Sequence, residues 1–246
     1  MSYSLEILVT ATCTSPTTNH LLNCLPEPDR HWFIENCTVV ELVFGETLSV
    51  SEEPIKYVYF PLTGFISLLL EVNDNQSLEM GLIGNEGILG ATLAFEKQNA
   101  PMKSIVQGAG NALRIDATLF CHYLNNNHAV RKLILNYLYV LMQQLAQASA
   151  CNNFHEVKQR LARWLLMTQD RAHSDTLYLT HQLLAKMLGV RRSAVTIAAG
   201  YIQQQGIISY NRGHINVLSR SGLEKLSCQC YFSDVNAYQK TLSISN

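Results

Sequence analysis

Basic and hydroxyl side chains are concentrated just after Gly189, in the segment Arg191-Arg-Ser-Ala-Val-Thr196. Arginine can donate two parallel hydrogen bonds to a guanine, and serine or threonine can reach bases or phosphate in the major groove of DNA. These groups read a base sequence when the N-terminal end of a helix carries them into the groove. Hydrogen bonding to base edges is therefore the chemistry expected of this segment, provided that the surrounding elements present it outward.

The surrounding residues 181–200 have the pattern of two short helices joined by a tight turn. Gly189 falls where the turn needs a left-handed backbone, and the small residue Ala185 falls where the helices touch. Thr180 is placed to cap the first helix, and the second helix is predicted over about residues 191–203. The predicted buried contact positions are Leu184, Leu188, Val190, Val195 and Ala198. The pattern favours a helix-turn-helix over a small helical domain with solvated arginines.

A β-hairpin is predicted directly after this pair of helices. Gly206 ends the second helix, and the runs 207–210 and 214–217 alternate around Asn211-Arg212-Gly213. A hairpin in this position is a wing. Arg212 at its tip suits a contact with a phosphate group.

Charge is divided unevenly along the 246 residues, although the whole chain carries a net charge of only −1. Residues 1–125 contain 5 basic and 14 acidic side chains, a net charge of −9, whereas residues 126–246 contain 13 and 5, a net charge of +8. A basic rear half indicates that this half meets a polyanion.

Turn residues in the first half are spaced as in an all-β domain. Eight of the 13 glycines lie between Gly45 and Gly110, and they separate short runs rich in β-branched and aromatic residues. Strands are predicted at residues 38–44, 56–60, 64–70 and 104–107, with a hairpin tip at 73–75. This spacing predicts a sandwich or a barrel-like roll over residues 1–125.

From about Asn127 the apolar period changes to that of a helix. One seam recurs at intervals of three and four residues, and a second apolar face of Leu133, Leu138, Val140 and Leu145 lies beside it. We expect one face to cover the chain's own β domain and the other to pack on a twin helix in a homodimer; burial inside a single chain is the alternative. The predicted dimerisation residues are Val130, Ile134, Tyr137, Leu141, Gln144 and Ala148.

The segment Cys151-Asn-Asn-Phe-His155 interrupts this helical pattern. Asn152 or Asn153 is expected to cap the next helix, predicted at residues 157–169. A hinge is placed here, which divides the chain into a β domain at 1–125, a dimerisation helix at 126–151 and a rear domain at 152–246.

Seven cysteines at irregular spacings predict reduced thiols in a cytoplasmic protein. Cys228-Gln-Cys230 has one residue between the thiols, fewer than common zinc sites have, and no histidine lies near it in sequence. Packing is therefore expected there, and no metal site. Haem is not excluded as a cofactor by the sequence, because any of eight histidines could serve as an axial ligand.

Other classes of protein are not indicated by the sequence. Met1 to Pro16 lacks the pattern of a secretory signal, and no apolar run is long enough to cross a bilayer, so no membrane partner is expected. A Walker loop, a Gly-x-Ser-x-Gly elbow and a His-Glu-x-x-His motif are missing. We therefore predict no catalytic residues and no enzyme.

The chain resembles the Crp/Fnr family of transcription regulators. Tyr59-Phe-Pro-Leu-Thr-Gly-Phe-Ile-Ser67 and Gly81-Leu-Ile-Gly-Asn-Glu-Gly87 are similar to the family's sensory domain. Three further segments are similar to the family's DNA-binding half: Arg160-Leu-Ala-Arg-Trp-Leu-Leu166, Leu188-Gly-Val-Arg-Arg-Ser-Ala-Val195 and Ser227-Cys-Gln-Cys-Tyr231. The resemblance implies an α+β fold: an N-terminal, jelly-roll-like double-stranded β-roll, a long dimerisation helix and a C-terminal winged helix-turn-helix.

The resemblance also implies a homodimer that binds double-stranded DNA at a near-palindromic promoter site. RNA polymerase and a small-molecule effector are further candidate partners. Arg192 and Ser193 align with base-reading positions, and Ile197 stands at a third such position that is usually basic. The candidate DNA-binding residues are Thr180, His181, Gln182, Arg191, Arg192, Ser193, Thr196, Ile197 and Arg212.

The signal that this chain senses is not indicated by the resemblance. Cyclic-nucleotide sites of the family use a Gly-Glu pair and an arginine after a proline, whereas this chain has Gly87-Ile88 and Pro101-Met-Lys103. Without that arginine a cyclic phosphate lacks its charge-assisted hydrogen bonds, so cAMP is not the expected effector. Iron–sulfur sensing is disfavoured because Cys13, Cys24 and Cys37 lie far apart. The cofactor is left unknown. The alternative function is a small-molecule or cyclic-nucleotide receptor whose helical tail binds a protein instead of DNA.

Overall fold

The computed structural model describes residues 19–73, 76–172 and 174–242. The helices are α1 (His20–Asn23), α2 (Glu27–Asn36), α3 (Ala117–Asn126), α4 (His128–Phe154), α5 (Val157–Ala172), α6 (His181–Leu188), α7 (Arg192–Gln204), α8 (Arg220–Leu226) and α9 (Cys230–Leu242). The strands are β1 (Thr38–Leu42), β2 (Thr47–Ser49), β3 (Tyr57–Pro61), β4 (Phe65–Asn73), β5 (Gln76–Ile83), β6 (Lys103–Gly108), β7 (Gly110–Asp116), β8 (Thr176–Tyr178), β9 (Ile208–Asn211) and β10 (His214–Val217).

The front half is a roll of two antiparallel sheets. One sheet has the strand order β1-β7-β3 and the other has the order β2-β6-β4-β5. Leu42, Ile66 and Val106 come from both sheets and are buried in one cluster. Side chains that alternate along each strand therefore meet between the sheets, as in a sandwich. This arrangement confirms the fold class predicted from the sequence.

The predicted strands correspond to β1, β3, β4 and β6 with small shifts at their ends. The strands β2 and β7 were not predicted. The hairpin predicted at 73–75 joins β4 to β5, since Asn73 pairs with Gln76, but Asp74 and Asn75 lie outside the described residues.

The expectation that residues 1–125 are all-β is wrong, because α1, α2 and α3 lie within this range. Helix α3 begins where the Asp116 side chain accepts hydrogen bonds from the amides of Thr118 and Leu119. Phe120 and Leu124 recur at helical spacing and are buried, together with Phe33 of α2. Local capping and aromatic packing thus add helices to the roll.

Helix α4 is 27 residues long, and its predicted seam faces inward. Val130, Ile134 and Tyr137 are buried against the chain's own β-roll, which contradicts their prediction as dimer contacts. Leu141 packs on the same roll, Gln144 lines a cleft within the chain, and Ala148 is partly buried. The second predicted face turns inward as well, because Leu138 and Val140 are buried too.

A third stripe of α4 is left outward. It consists of side chains spaced four, three, four and three residues apart, of which Tyr139 is 54% and Met142 61% exposed. The stripe comprises Leu135, which is partly buried against the roll, and then Tyr139, Met142, Ala146 and Ser149. We call it the outer stripe.

The predicted interruption at Cys151 is wrong, because α4 continues to Phe154. The Asn153 side chain donates a hydrogen bond to the Ser149 carbonyl oxygen at 2.9 Å, so it bonds back into α4 and does not cap α5. The helix ends at Phe154, and the next residue, His155, caps it with an extended backbone. The connection between the two helices is therefore residues 155–156.

The rear half packs its own core and then docks on the roll. Its helices α5, α6, α7 and α8 surround a small sheet of order β8-β10-β9. Phe65, Leu69 and Leu82 of the roll belong to the same buried cluster as the core of this rear half. Helix α9 returns along α4. None of the described helices combines the length and the apolar character that crossing a bilayer requires.

Candidate nucleic-acid interface

Helices α6 and α7 form the predicted helix-turn-helix. The Thr180 hydroxyl caps α6 by accepting a hydrogen bond from the Leu183 amide at 3.2 Å. Gly189 has φ 63° and ψ 38°, the left-handed conformation that the turn requires. A β-carbon at Gly189 would also lie 2.8 Å from the Leu78 side chain of β5, so the turn is pressed against the roll. The apolar contact positions are buried as predicted, Val190 only in part.

The N-terminal half of α7 presents the candidate base-reading side chains to solvent. Arg191, Arg192, Ser193 and Thr196 are exposed, and Ile197 is 75% exposed. The opposite face of α7 is buried in the core. A strongly exposed isoleucine among polar side chains suits a surface that meets an apolar group of a partner, such as a thymine methyl.

Tyr201 extends this surface and was missed from the sequence. It lies one turn beyond Ile197, is 41% exposed, and holds the Lys158 ammonium 5.3 Å from its ring centroid. The +4 spacing from Ile197 was the signal that could have found it.

His181 and Thr196 contact each other beneath this surface. The Thr196 hydroxyl lies 3.0 Å from His181 Nδ1, and the histidine ring stacks on Tyr210 of β9 at 4.3 Å between centroids. Burial, and then the nearby Arg192 charge, lower the pKa of His181. His181 therefore supports α7 through its contacts with Thr196 and Tyr210. Gln182, beside it, is exposed.

The wing is formed by β9 and β10, with β8 as a third strand that was not predicted. Arg212 and Gly213 make the turn with φ of 48° and 88°. Two consecutive positive φ values are typical of the tight type I′ hairpin turn. Arg212 is exposed at the tip, on a rigid support.

Several arginines of the basic rear half do not face solvent. Arg163 pairs with Asp234 at 2.5 Å, Arg171 with Glu86 at 2.8 Å, and Arg220 bonds both Asp170 and Glu224. Arg160 is buried and donates to the Leu188 carbonyl oxygen. The acids Asp170, Glu224 and Asp234 are already subtracted in the +8. The pair of Arg171 with Glu86 of the front half and the burial of Arg160 each reduce the charge that a polyanion can reach.

Among the polar contacts that join the rear half to the roll, two involve carboxyl groups of the roll. Trp164 Nε1 donates a hydrogen bond to the Glu79 carboxyl of β5 at 2.5 Å, and the Ser67 hydroxyl donates to the same carboxyl at 2.6 Å. Burial, only partly offset by these hydrogen bonds, raises the pKa of Glu79 to about 7. The second contact is the pair of Arg171 and Glu86.

The turn that carries Glu86 is built on close approach by two glycines. A β-carbon at Gly84 would lie 2.5 Å from Arg171 Cβ, and one at Gly87 would lie 2.4 Å from the Tyr137 hydroxyl oxygen. The glycine-rich run 81–90 is therefore a packing site between the roll, α4 and α5.

Two cavities lie near this turn. The one inside the roll encloses about 60 Å³ and is lined mainly by apolar side chains, among them Leu68, Ile83 and Ile88. Ligand pockets usually measure about 300–1,000 Å³, so this cavity does not fit a nucleotide as it stands. Lys103, the basic residue that follows Pro101, is held in an ion pair, with its Nζ 2.9 Å from the Glu71 carboxylate. The larger of the two, a cleft of about 550 Å³, lies between the turn, α5 and α9, and many of the residues that line it are polar or charged.

No histidine lies near Cys228 and Cys230 in sequence, but the fold brings one to them. The end of α4 brings Cys151 and His155 to these two thiols, and the four potential ligand atoms lie within 4.8 Å of one another. Residues more than 70 positions apart meet here, so the sequence alone carried no signal of it.

Comparisons with known proteins agree with this architecture. Residues 159–226 match the family model of the Crp-like helix-turn-helix domain. No curated protein sequence matches the chain. FixK2 from Bradyrhizobium japonicum is similar in structure, with a TM-score of 0.66 and 15% identity over 78% of this chain and 98% of that one.

Two further solved structures are similar. CLP of Xanthomonas campestris, a c-di-GMP-responsive global regulator, has a TM-score of 0.62 and 16% identity over 78% of this chain and 99% of its own. A CRP/FNR-family transcriptional regulator from Thermus thermophilus has a TM-score of 0.61 and 19% identity, covering 77% of this chain and 98% of its own.

The fold is thus that of the similar CRP/FNR-family structures, a β-roll and a long helix joined to a winged helix-turn-helix. More particularly, the chain carries a Crp-like helix-turn-helix domain at residues 159–226, which confirms the resemblance seen in the sequence.

Proposed function

We propose that the protein is a homodimeric transcription regulator that binds a specific, near-palindromic DNA sequence. The observation that carries this proposal is the exposed N-terminal face of α7, with Arg192, Ser193 and Ile197 held outward by a buried opposite face. Arg192 and Ser193 would contact base edges, and Arg191 and Arg212 would contact phosphates. Thr180, His181 and Gln182 begin α6 beside this face, and Thr196 is its polar neighbour.

The dimer is proposed through the outer stripe of α4. Its spacing repeats every seven residues, as in a two-stranded coiled coil, and its apolar members Tyr139 and Met142 are more than half exposed. A two-fold axis along α4 would place two copies of α7 in successive major grooves, about 34 Å apart. The inward seam, in contrast, holds α4 on its own roll.

The proposed division of labour follows these elements. The roll at residues 1–125 would be the sensory domain, α4 the dimerisation element, and the rear half the DNA-binding domain. A small-molecule effector would act through the contacts of Glu79 and Glu86 with α5. RNA polymerase is a proposed further partner. We propose a cytoplasmic location and no catalytic activity, since regulation by DNA binding needs neither a membrane nor a reaction.

The test is a binding titration with Arg192→Ala on a duplex selected from a random pool and on an unselected duplex. Loss of a two-bond contact to guanine should cost about 1–3 kcal/mol, or roughly 5–150-fold, on the selected duplex only. Lys240→Ala, which removes an exposed charge from α9, is the matched control and should bind as the wild type does.

Equal weakening on both duplexes would reassign Arg192 to a phosphate contact. Absence of binding to any duplex at low salt, where phosphate contacts are strongest, would refute the proposal and favour the alternative in which the helical tail binds a protein.

A further inference from the structure

Three thiols and one imidazole meet at the junction of α4, α5 and α9. Cys151 lies in the last turn of α4, and His155 is the residue that caps the end of that helix. Cys228 and Cys230 come from the link after α8 and the first residue of α9. Their sulfur and ring-nitrogen atoms all lie within 4.8 Å of one another. We propose that these four side chains bind one zinc ion, in a site that does not depend on the proposed DNA binding.

Two of the distances between ligand atoms match the edges of a zinc tetrahedron, and all of them lie within 4.8 Å. Zinc binds cysteine sulfur at about 2.3 Å and histidine nitrogen at about 2.0–2.1 Å, so neighbouring ligand atoms in a tetrahedron lie about 3.5–3.8 Å apart. Cys151 Sγ lies 3.5 Å from Cys228 Sγ, and Cys230 Sγ lies 3.5 Å from His155 Nδ1. A disulfide would need its sulfur atoms about 2.05 Å apart.

Backbone geometry explains how distant residues reach one point. His155 has φ −115° and ψ 146°, so the chain leaves the helix and places the ring beside Cys151, which is one turn earlier. The His155 amide still donates to the Cys151 carbonyl oxygen at 3.2 Å. On the other side, the single residue between Cys228 and Cys230 keeps both thiols at the start of α9.

The surroundings are those of a closed, structural site. The three cysteines are buried and form a cluster of their own. Gln147 Nε2 lies 3.0 Å from Cys230 Sγ and supplies the kind of outer hydrogen bond that orients a metal ligand. Four protein ligands fill a tetrahedral zinc shell and leave no position for a substrate.

The charge balance also fits. Three thiolates and one Zn²⁺ carry a net charge of −1, which a buried site must neutralise. Arg160 and Arg163 of α5 lie close enough to Cys151 and Cys228 to interact with them electrostatically. The Arg160 Nε atom is buried and has no hydrogen-bond partner among the described residues. A nearby anionic centre would compensate this donor.

The donor set selects the metal. Thiolates with one imidazole in a tetrahedral arrangement favour zinc over magnesium or calcium, which prefer oxygen ligands. An iron–sulfur cluster would have to fit its own atoms between the ligands, and ligand atoms within 4.8 Å leave room for a single ion. The ion would join α4 to α9 at the base of α5, and so fix the angle at which the DNA-binding half leaves the long helix.

The experiment measures metal in the full-length protein, purified under reducing conditions without chelator and supplied with Zn²⁺ before gel filtration. We expect about one zinc per chain by mass spectrometry. X-ray absorption of the wild-type protein should show three sulfur ligands near 2.3 Å and one nitrogen near 2.0–2.1 Å. Cys228→Ser and His155→Ala should each reduce zinc retention at least tenfold in a chelator competition, whereas Cys121→Ser, a partly buried thiol of α3, should not.

Three results would overturn the proposal. They are substoichiometric zinc after Zn²⁺ loading, a zinc shell without sulfur, and a Cys151–Cys228 disulfide in the protein purified anaerobically. The absorption measurement uses only the wild-type chain, so a variant that failed to fold would not affect it.

Discussion

The buried pair of Arg171 and Glu86 should control the stability of the joint between the two halves. Arg171 Nε lies 2.8 Å from the Glu86 carboxylate, and the side chains are only 8% and 14% exposed. Burial opposes the charge on Arg171, yet the Glu86 carboxylate raises the pKa of the guanidinium overall. Arg171→Met would leave that carboxylate in a poorly hydrated site, with the Gly84 amide as its remaining donor among the residues that the structure describes.

The expected cost follows from this geometry. Removing one partner of a buried ion pair costs about 3–5 kcal/mol, because the other charge stays buried without compensation. Adding Glu86→Gln to Arg171→Met should recover much of the loss, since a neutral amide needs no counter-charge. The two single changes should therefore be non-additive by more than about 1.5 kcal/mol.

Urea unfolding of the four proteins in this double-mutant cycle gives the coupling directly. The matched control is Arg131→Met, because Arg131 pairs with Glu96 at a similar 2.9 Å but the side chains are 32% and 73% exposed. An exposed pair contributes about 0–1 kcal/mol. Equal losses in Arg171→Met and Arg131→Met, or additive losses in the cycle, would refute the reasoning.

Three further predictions test other parts of the fold. Gly87→Ala should destabilise the protein by about 1–3 kcal/mol in urea unfolding, because its β-carbon would meet Tyr137, whereas Gly200→Ala has open space and should not. The pKa of Glu79 is raised from 4.5 to about 7 in the folded protein. Between these two pH values the folded state keeps a proton that the unfolded state has released, so the free energy of unfolding should fall by about 1–3 kcal/mol as the pH rises from 4.5 to 7. Thermal unfolding across that range should show the decline in the wild type, and Glu79→Gln should lack it. Met142→Glu should shift sedimentation from dimer to monomer at micromolar concentration, and an unchanged dimer would remove the outer stripe from the proposal.

The helix-turn-helix could be predicted residue by residue because its signals are local. A capping threonine, a turn glycine and apolar contacts at fixed spacing all act within twenty positions, and Thr180 and Gly189 have the predicted roles. The roll was predicted in outline for the same reason, since its turns and strands are short.

The parts that the sequence did not predict depend on contacts between distant residues. A heptad pattern shows that α4 has several apolar faces, but not which face the roll covers, and Tyr137 turned inward because Gly87 leaves room for its ring. The proposed metal ligands are an extreme case, since Cys151 and Cys228 are 77 positions apart. Capping at Asn153 failed because its side chain found a partner within α4.

The shared core of the two halves has a thermodynamic consequence. The helix-turn-helix cannot move away from the roll without exposing apolar surface to water, because Leu78 lies against Gly189 and Leu82 belongs to the same buried cluster as Leu184. If the helix-turn-helix moved away from the roll on binding DNA or an effector, titration calorimetry would therefore show a positive contribution to the heat-capacity change. Binding with no such increment would mean that the pose described here is already the one that meets DNA.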